Sequence, residues 1–575
     1  MPSAQLTNKD VSRLLKETAS LIELTGGNEF RARSFSSAAR TIERLEEPVS
    51  TLIESDTLQD VRGIGAGLAA QIREIVQRGT FEVYDDLLSA IPPGLTDILR
   101  VKGLGAKKVR RIWQTLGITT LQELEEAAMI GHLADLDGFG VKTQENVLAN
   151  LLLLKQYGSK RQYARAVIVA EPILERVRSM PGIDVAEYTG ELRRKSEIVS
   201  SAAIVAGSDN PKQSAEALSD MWTLHIAEDA GRAHLEGKLP DGLPLTIYVV
   251  PIEEFGSTLW RLTGAADHVA AFEAEYGVAG AAADETDVYS RAGLPFIEPE
   301  LREDLGELEA AKAGALPKLI TENDLRGTLH NHSNYSDGAH SIRQMVGAAV
   351  SIGYSYYGVC DHSRSLAIAN GLAIDRLKTQ QAEIDQLNED LARGDGPPFR
   401  IFKGTESDIL DDGSLDYPPD VLASFDFVVA SIHQGFNMTE AQATERLVRA
   451  IENPFTSILG HPTGRLLLRR EGYPIDHARV IDACAENDVV IEINANPRRL
   501  DIDWRWVHRA LDRGVMLAIN PDAHSVDELY YVQWGVAVAR KGWLTADRCL
   551  NAKTLEDFSE WIEERKRSHA GITHI

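Results

Sequence analysis

The sequence predicts a multidomain chain: an all-α N-terminal region, a central α/β region, and a C-terminal (β/α) barrel. Three observations predict this. At 575 residues the chain is too long to be organised by one hydrophobic core. Three glycine turns recur in the first 155 residues at spacings of 40 and 35. Beyond residue 326, short apolar runs end in polar clusters seven times, most of them separated by helical patterning.

The first element, residues 1–155, has short turns and little β-branched alternation, so it reads as helical. Its turns are Gly63-Ile64-Gly65, Gly103-Leu104-Gly105 and Gly138-Phe139-Gly140, each set before a new helix, with Lys and Arg clustered beside them. The second element, 156–303, alternates strands and helices, with strands expected at Ala166–Val169, Ile204-Val205 and Leu245–Val250. A charged, alanine-rich stretch over 303–325 reads as a connector. The third element, 326–575, has apolar runs ending at His330, His362, Glu406, His433, His461, Asn494 and Asp522. Polar residues at the ends of successive parallel strands imply the mouth of a barrel.

Composition narrows the function classes. A hydrophobic fraction of 43% and a charged fraction of 25% are those of a globular protein. No apolar run approaches the ~18 residues that span a bilayer, and the N-terminus lacks a signal-peptide pattern, so no membrane partner is expected. Three widely spaced cysteines form neither a disulfide framework nor a thiolate zinc site, and a cytoplasmic location follows. The net charge of −26 argues against coating nucleic acid by bulk attraction, but the charges nearly balance across the N-terminal region.

Nine of the 15 histidines fall between residues 330 and 524. His330, His332, His362, His433, His461 and His524 sit at predicted strand ends, with Asp337, Glu406 and Asp522. A lone histidine of this kind is more often a core or surface residue. Nine suitable side chains gathered at strand ends point instead to metal ligation, and imidazole with carboxylate but no thiolate suits Zn, Mn or Fe at a hydrolytic site. Alternation in His330-x-His332 and Asp522-x-His524 puts both side chains of each pair on one strand face.

Residues 326–575 resemble the PHP (polymerase and histidinol phosphatase) domain family. The matching motifs are Leu329-His330-Asn331-His332, Tyr335-Ser336-Asp337-Gly338, Asp361-His362-Ser363, Gly460-His461-Pro462 and Asp522-Ala523-His524. The resemblance implies a distorted (β/α)7 barrel holding a trinuclear cluster of Mn or Zn, with all nine ligand positions filled and Glu406 as the bridging, catalytic ligand. Arg364 and Arg465, each close to a ligand in sequence, are further catalytic candidates for holding a phosphate in bidentate fashion.

The rest of the chain resembles bacterial family X DNA polymerases, which fuse a polymerase core to a C-terminal PHP domain. Its markers include Asn28–Arg33, the glycine turns, Thr189–Arg194, Thr263-Gly264-Ala265 and Pro299–Glu303. The resemblance makes 1–155 a helix-hairpin-helix region, 156–303 a nucleotidyltransferase-like palm and thumb, and 326–575 the PHP phosphoesterase. In such hairpins Gly63, Gly65, Gly103, Gly105, Gly138 and Gly140 let backbone N–H groups approach DNA phosphates, and Lys107, Lys108 and Lys142 add charge. Contacts of this type read no sequence.

The palm departs from the family pattern. A Gly-Ser serine is replaced by Glu191, the Asp-x-Asp pair aligns to Ser201 and Ala203, and the third aspartate aligns to Thr246. Those carboxylates hold two Mg ions for nucleotidyl transfer, so Mg is not expected at this palm and polymerase activity is expected to be absent. The expected function is a metal-dependent DNA phosphodiesterase in repair: a 3′→5′ exonuclease, 3′-end processing enzyme or abasic-site endonuclease acting on gapped or nicked duplex ends. The competing readings are a gap-filling polymerase with proofreading, a histidinol-phosphatase-like phosphomonoesterase, and a non-catalytic DNA-binding protein.

Overall fold

A computed structural model describes residues 8–45, 47–157, 160–222, 224–229, 232–239 and 241–569. The chain divides into two compact units, Met1–Gly158 and Ser159–Ile575.

The first unit is helical throughout its described residues. Asn28 starts the helix Glu29–Glu43 by accepting from the Phe30 and Arg31 N–H groups, which satisfies donors that the first turn leaves unpaired. One core gathers Leu15, Phe35, Ile72 and Phe81, and a second gathers Leu95, Val109, Ile112 and Leu124. Each glycine turn leads into a helix: Ala66–Arg78, Ala106–Leu116 and Val141–Tyr157. Gly63 and Gly103 both take φ +93°, a left-handed backbone that disfavours any residue with a Cβ.

The second unit contains two sheets of interest. In the central region, where the resemblance implies a palm, the strands are β1 (Arg161–Gln162), β2 (Val185–Thr189), β3 (Ile198–Val199), β4 (Ala202–Ser208), β5 (His225–Asp229), β6 (Arg232–Lys238) and β7 (Pro244–Pro251). The main sheet runs β2-β4-β7-β6-β5, and β1 pairs only with β3. The strands expected at Ile204-Val205 and Leu245–Val250 lie in β4 and β7. Ala166–Val169 does not form a strand; it lies in the helix Tyr163–Arg178. Its β-branched run favours extended chain, but Ala166, Ala170, Leu174 and Val177 form a buried helical stripe, and Ile168 is left exposed. Packing overrides local propensity there.

The stretch 303–325 is more than a connector. It carries the helix Glu307–Lys312, and Glu307 accepts from the buried His268 imidazole at 2.5 Å.

The barrel strands are β8 (Gly327–Thr328), β9 (Tyr356–Val359), β10 (Arg400–Asp408), β11 (Phe427–Ser431), β12 (Ile458–Leu459), β13 (Val490–Asn494) and β14 (Leu517–Asn520). They form one seven-stranded parallel sheet ordered β14-β13-β12-β11-β10-β9-β8. Beyond the two edge strands, the His332 N–H donates to the Ala523 carbonyl at 2.8 Å, and Asn331 bridges Ala523 in parallel fashion. The barrel is therefore nearly closed at its C-terminal mouth. Its interior is filled from the other end by Leu329, Phe402, Phe427 and Ile458, with Phe558 of the C-terminal helix stacked on Tyr356 at 4.6 Å. Apolar filling at the base leaves the mouth to polar side chains.

Candidate metal centre

Every ligand candidate named from the sequence lies at this mouth. His330 and His332 follow β8, His362 follows β9, and Glu406 lies in β10. His433, His461, Asp522 and His524 follow β11, β12 and β14, and Asp337 stands on the turn after His332. Alternation on extended chain aims His330 and His332 inward together, and both are fully buried.

Glu406 is at the centre of the set. Its Oε1 lies 2.9 Å from His461 Nε2, 3.1 Å from His433 Nε2 and 3.4 Å from His330 Nε2. Its Oε2 lies 2.8 Å from His362 Nδ1 and 3.7 Å from His332 Nε2. Asp522 Oδ1 stands 3.2 Å from His332 Nε2, and Asp337 Oδ1 stands 3.5 Å from both His362 Nε2 and His524 Nε2. These are the separations expected of ligands sharing an ion, since ligand atoms on a tetrahedral ion with bonds of about 2.1 Å lie about 3.4 Å apart.

The residues fit a metal cluster on a second ground. His330 Nε2, His332 Nδ1, His362 Nδ1, His461 Nδ1 and Glu406 Oε2 are buried without a hydrogen-bond partner. Buried polar atoms left unpaired are costly, and four of these, on His330, His332, His362 and Glu406, belong to residues whose ligand atoms group together, as a cationic partner would require. Three overlapping groups have ligand atoms within 4.8 Å of one another: His332, Asp337, His362 and His524; His330, His332 and Asp522; His362, Glu406 and His433. Asp337 and His524, at 36% and 32% side-chain exposure, form the more open rim of the site.

Carboxylates and imidazoles in the site shift one another's titration. Burial alone would raise the Glu406 and Asp522 carboxyls, but surrounding imidazoles hold both well below the usual carboxylate range. Burial likewise disfavours protonated His433 and His524, yet Glu406 and Asp408 raise the first to about 10, and Asp337 with Asp522 raises the second to about 9. His332 goes the other way, to about 3, because burial is reinforced by the His524 and His362 charges.

Several supporting residues were not among the sequence candidates. Asp408 accepts from His433 Nδ1 at 2.5 Å, and Glu492 Oε1 accepts from His330 Nδ1 at 2.7 Å. Glu492 Oε2 also accepts from the His461 N–H at 2.8 Å, and Asn494 donates to Asp522 Oδ2 at 3.1 Å. Such partners orient imidazoles and set which ring nitrogen remains for the metal. A sequence signal for them exists: Glu406-x-Asp408 and Glu492-x-Asn494 repeat the alternation that marked His330-x-His332.

The two arginine candidates part company. Arg364 stays half-exposed, tied to Asp416 by Nε at 3.2 Å and by Nη2 to its carbonyl at 2.7 Å. Arg465 is not placed to hold a phosphate. Its guanidinium donates to Glu197, Asp503 and the carbonyls of Arg499 and Leu500, which commits all of its donors. The arginine that does approach a ligand is Arg499, with Nε 3.6 Å from Asp522 Oδ2.

In the palm, Ala203 and Thr246 are direct register partners on β4 and β7, and Ser201 immediately precedes β4. Glu236 of β6 lies opposite Thr246 and is bonded to His234 at 3.1 Å. Glu191, in the short helix Gly190–Arg193, accepts at Oε2 from the Ser200 N–H at 2.6 Å and hydroxyl at 2.7 Å, between β3 and β4.

At the glycine turns, Gly65, Gly105 and Gly140 precede their helices directly, and a Cβ at any of them would meet nothing within 4 Å. Gly105 has φ −77°, so neither conformation nor packing demands a glycine there. Lys107 pairs with Glu29 at 2.7 Å, Lys108 lies over the Phe139 ring at 5.3 Å, and Lys142 is exposed at the start of its helix.

Comparison with known proteins agrees with this architecture. Residues 6–81 match a helix-hairpin-helix domain, 95–151 a SAM-like helix-hairpin-helix tandem, and 328–496 the PHP domain. Over 574 residues, 96% of this chain and 99% of the relative, the sequence is 35% identical to the DNA polymerase/3′-5′ exonuclease PolX of Bacillus subtilis. A probable phosphatase of Thermoanaerobacter sp. is 30% identical over 181 residues, covering 30% of this chain and 71% of that protein.

Proposed function

The chain belongs to the bacterial PolX family, and on that premise we propose that its working active site is the barrel mouth, a metal-dependent 3′→5′ DNA phosphodiesterase that trims or processes ends at gaps, nicks or abasic sites during repair. The observation that supports this most directly is Glu406, both of whose oxygens face imidazoles in a site where eight candidates group their ligand atoms and His461 touches Glu406. Bound Mn or Zn would supply an activated water and stabilise charge on the phosphoryl oxygens and the leaving 3′-oxygen. Glu406 and the surrounding imidazoles would hold the metal, Asp408 and Glu492 orient His433 and His330 for that role, and half-exposed Arg364, braced by Asp416, could reach a substrate phosphate.

The helix-hairpin-helix turns supply the DNA-binding role. Open space at Gly65, Gly105 and Gly140 lets a phosphate approach helix N-termini, and Lys108 and Lys142 add charge.

The palm is proposed to be silent in synthesis. Ser201, Ala203 and Thr246 occupy the positions where the polymerase pattern has aspartates, and Glu236 alone cannot hold two Mg ions between a 3′-hydroxyl and a triphosphate.

One assay tests the whole reading. The purified chain is incubated with Mn and end-labelled gapped duplex, with and without deoxynucleotides. Shortening is expected, it should vanish in His332→Ala while DNA binding persists, and the label should never lengthen. Extension would restore the polymerase, and release of phosphate only from small monoesters would favour the phosphatase chemistry suggested by the Thermoanaerobacter relative.

A further inference from the structure

We propose that Glu197, a palm residue, is a positioning residue for the barrel's hydrolytic site, acting through Arg465 on the loops that carry His461 and flank Asp522. The inference rests on the phosphodiesterase reading for its activity measurement, but its metal-binding measurement is independent of substrate.

The contact begins at the small β1–β3 ribbon, which faces the barrel and takes no part in the main palm sheet. Glu197 immediately precedes β3, is 8% exposed, and its carbonyl accepts from the Tyr163 N–H at 3.0 Å. Its carboxylate grips Arg465 in fork fashion, Oε2 to Nη2 at 2.7 Å and Oε1 to Nη1 at 3.3 Å. On the same ribbon the Gln162 amide donates to the Leu467 carbonyl at 3.2 Å. The palm therefore holds the loop after β12 at two points.

Arg465 passes that hold to the loop after β13. Its Nε donates to the Arg499 carbonyl at 3.0 Å, its Nη2 to the Leu500 carbonyl, and its Nη1 to Asp503 at 2.8 Å. The two loops are also joined by the Leu467 N–H donating to the Arg498 carbonyl at 2.7 Å, and by Asp501 accepting from the Thr463 N–H and hydroxyl at 3.0 Å each.

The first loop begins at one ligand candidate and the second bonds to another. His461 lies four residues before Arg465, and Gly464 donates back to the His461 carbonyl at 3.0 Å. Arg499 reaches Asp522 Oδ2 at 3.6 Å, and Asn494, which also donates through its N–H to the Asp501 carbonyl at 2.6 Å, bonds the same Oδ2 at 3.1 Å. The backbone here needs support: His461, Leu500 and Asp522 have φ of +23°, +45° and +52°, a region where residues with a Cβ persist only if their surroundings over-determine them. A buried ion pair contributed by the neighbouring domain is such a determinant.

A purely adhesive contact exists elsewhere for comparison. Glu300 of the palm pairs with Arg540 of the barrel at 2.7 Å on the helix Val532–Lys541, and the other partners of the two are Lys195, Glu298 and the Ile320 carbonyl, none of them in either loop. Full-length Glu197→Gln and Glu300→Gln are compared by kcat and KM on end-labelled DNA, by Mn affinity without DNA, and by hydrogen exchange over residues 461–470 and 495–503. Glu197→Gln is expected to lower kcat and Mn affinity about tenfold each, with KM moving less than about twofold, and to raise exchange in those two loops. Glu300→Gln is expected to lower the melting temperature and leave the other readouts unchanged. If Glu197→Gln does not fold, Arg465→Lys is measured instead; it keeps a charge for Glu197 but loses the fork to residues 499 and 500, and the same losses are expected. Equal effects of the Glu197 and Glu300 variants on Mn affinity, or no effect of either loop variant, would overturn the proposal. If the wild-type chain leaves DNA intact while Mn affinity still falls in Glu197→Gln, the substrate reading fails and the positioning role stands. If the wild type shortens DNA and Glu197→Gln retains full kcat and Mn affinity, the reverse holds.

Discussion

Asp408 is not itself an expected ligand, yet it decides which way His433 faces, because the 2.5 Å contact at Nδ1 leaves Nε2 toward Glu406. Asp408→Asn keeps the shape but removes the charge, and is expected to weaken metal binding about 10–100-fold, read by titration of the apo protein with Mn. The same imidazoles set a pH dependence. In the metal-free site His433 and His524 are raised to about 10 and about 9, so at neutral pH both carry protons that must leave before they ligate. Metal affinity should therefore rise with pH up to that range and fall as the pH drops, by about tenfold per pH unit for each proton displaced. Proton release on adding Mn at pH 7, measured calorimetrically in two buffers, checks the sign; uptake of protons would contradict it.

Among the elements, the helix-hairpin-helix turns separate two uses of glycine. Gly103 has a left-handed backbone that the turn itself requires, whereas Gly105, two residues on, has an ordinary φ and open space around its absent side chain. Gly105→Ala should then cost less than about 1 kcal/mol of stability, as small substitutions at helix N-caps do. It should nevertheless weaken duplex binding, equally for all sequences, because the lost contact is to backbone phosphate. Anisotropy titrations against two unrelated duplexes test both points, and a sequence-dependent loss would count against the hairpin role. The helix Tyr163–Arg178 is the element the sequence misled on. Its Val and Ile run has strand character locally, and only the alanine stripe at 166 and 170, visible once its packing partner is known, makes it a helix.

For the second unit as a whole, palm and barrel share buried charge as well as apolar contact. Ala537 of the barrel helix Val532–Lys541 joins the palm core, and Tyr163 meets Trp534 edge-on at 5.7 Å. Glu300 lies between Lys195 at 2.9 Å and Arg540 at 2.7 Å. Burial would raise its carboxyl, but the two cations outweigh that and hold it at about 2, against an ordinary value of 4.5. A depressed carboxyl stabilises the fold above its unfolded pKa, so this contribution, on the order of 3 kcal/mol, is complete above about pH 4.5 and is lost as the pH falls toward 2. Acid unfolding of wild type should therefore steepen over that window relative to Glu300→Gln, whose stability is lower at neutral pH and changes less on acidification.

The sequence alone determined the barrel and its ligand candidates, because period-2 alternation and strand-end placement are local properties that a linear pattern preserves. It likewise determined the repeated glycine turns, whose chemistry lies within a few residues. What only the tertiary structure decided are contacts between residues far apart in the chain. Arg465 lies beside a ligand in sequence, yet its guanidinium is committed to Glu197, 268 positions earlier, and Arg499 stands nearer the cluster in its place. The alternation of Glu492-x-Asn494 marks Glu492 as inward-facing, but its bond to His330, 162 positions earlier, is set by the tertiary structure for the same reason. Alternation can mark a polar side chain as inward-facing, but the pairing itself has no period to read; it is chosen by whichever groups the nearly closed sheet and the docked palm bring within about 3 Å, and that distance is set by packing.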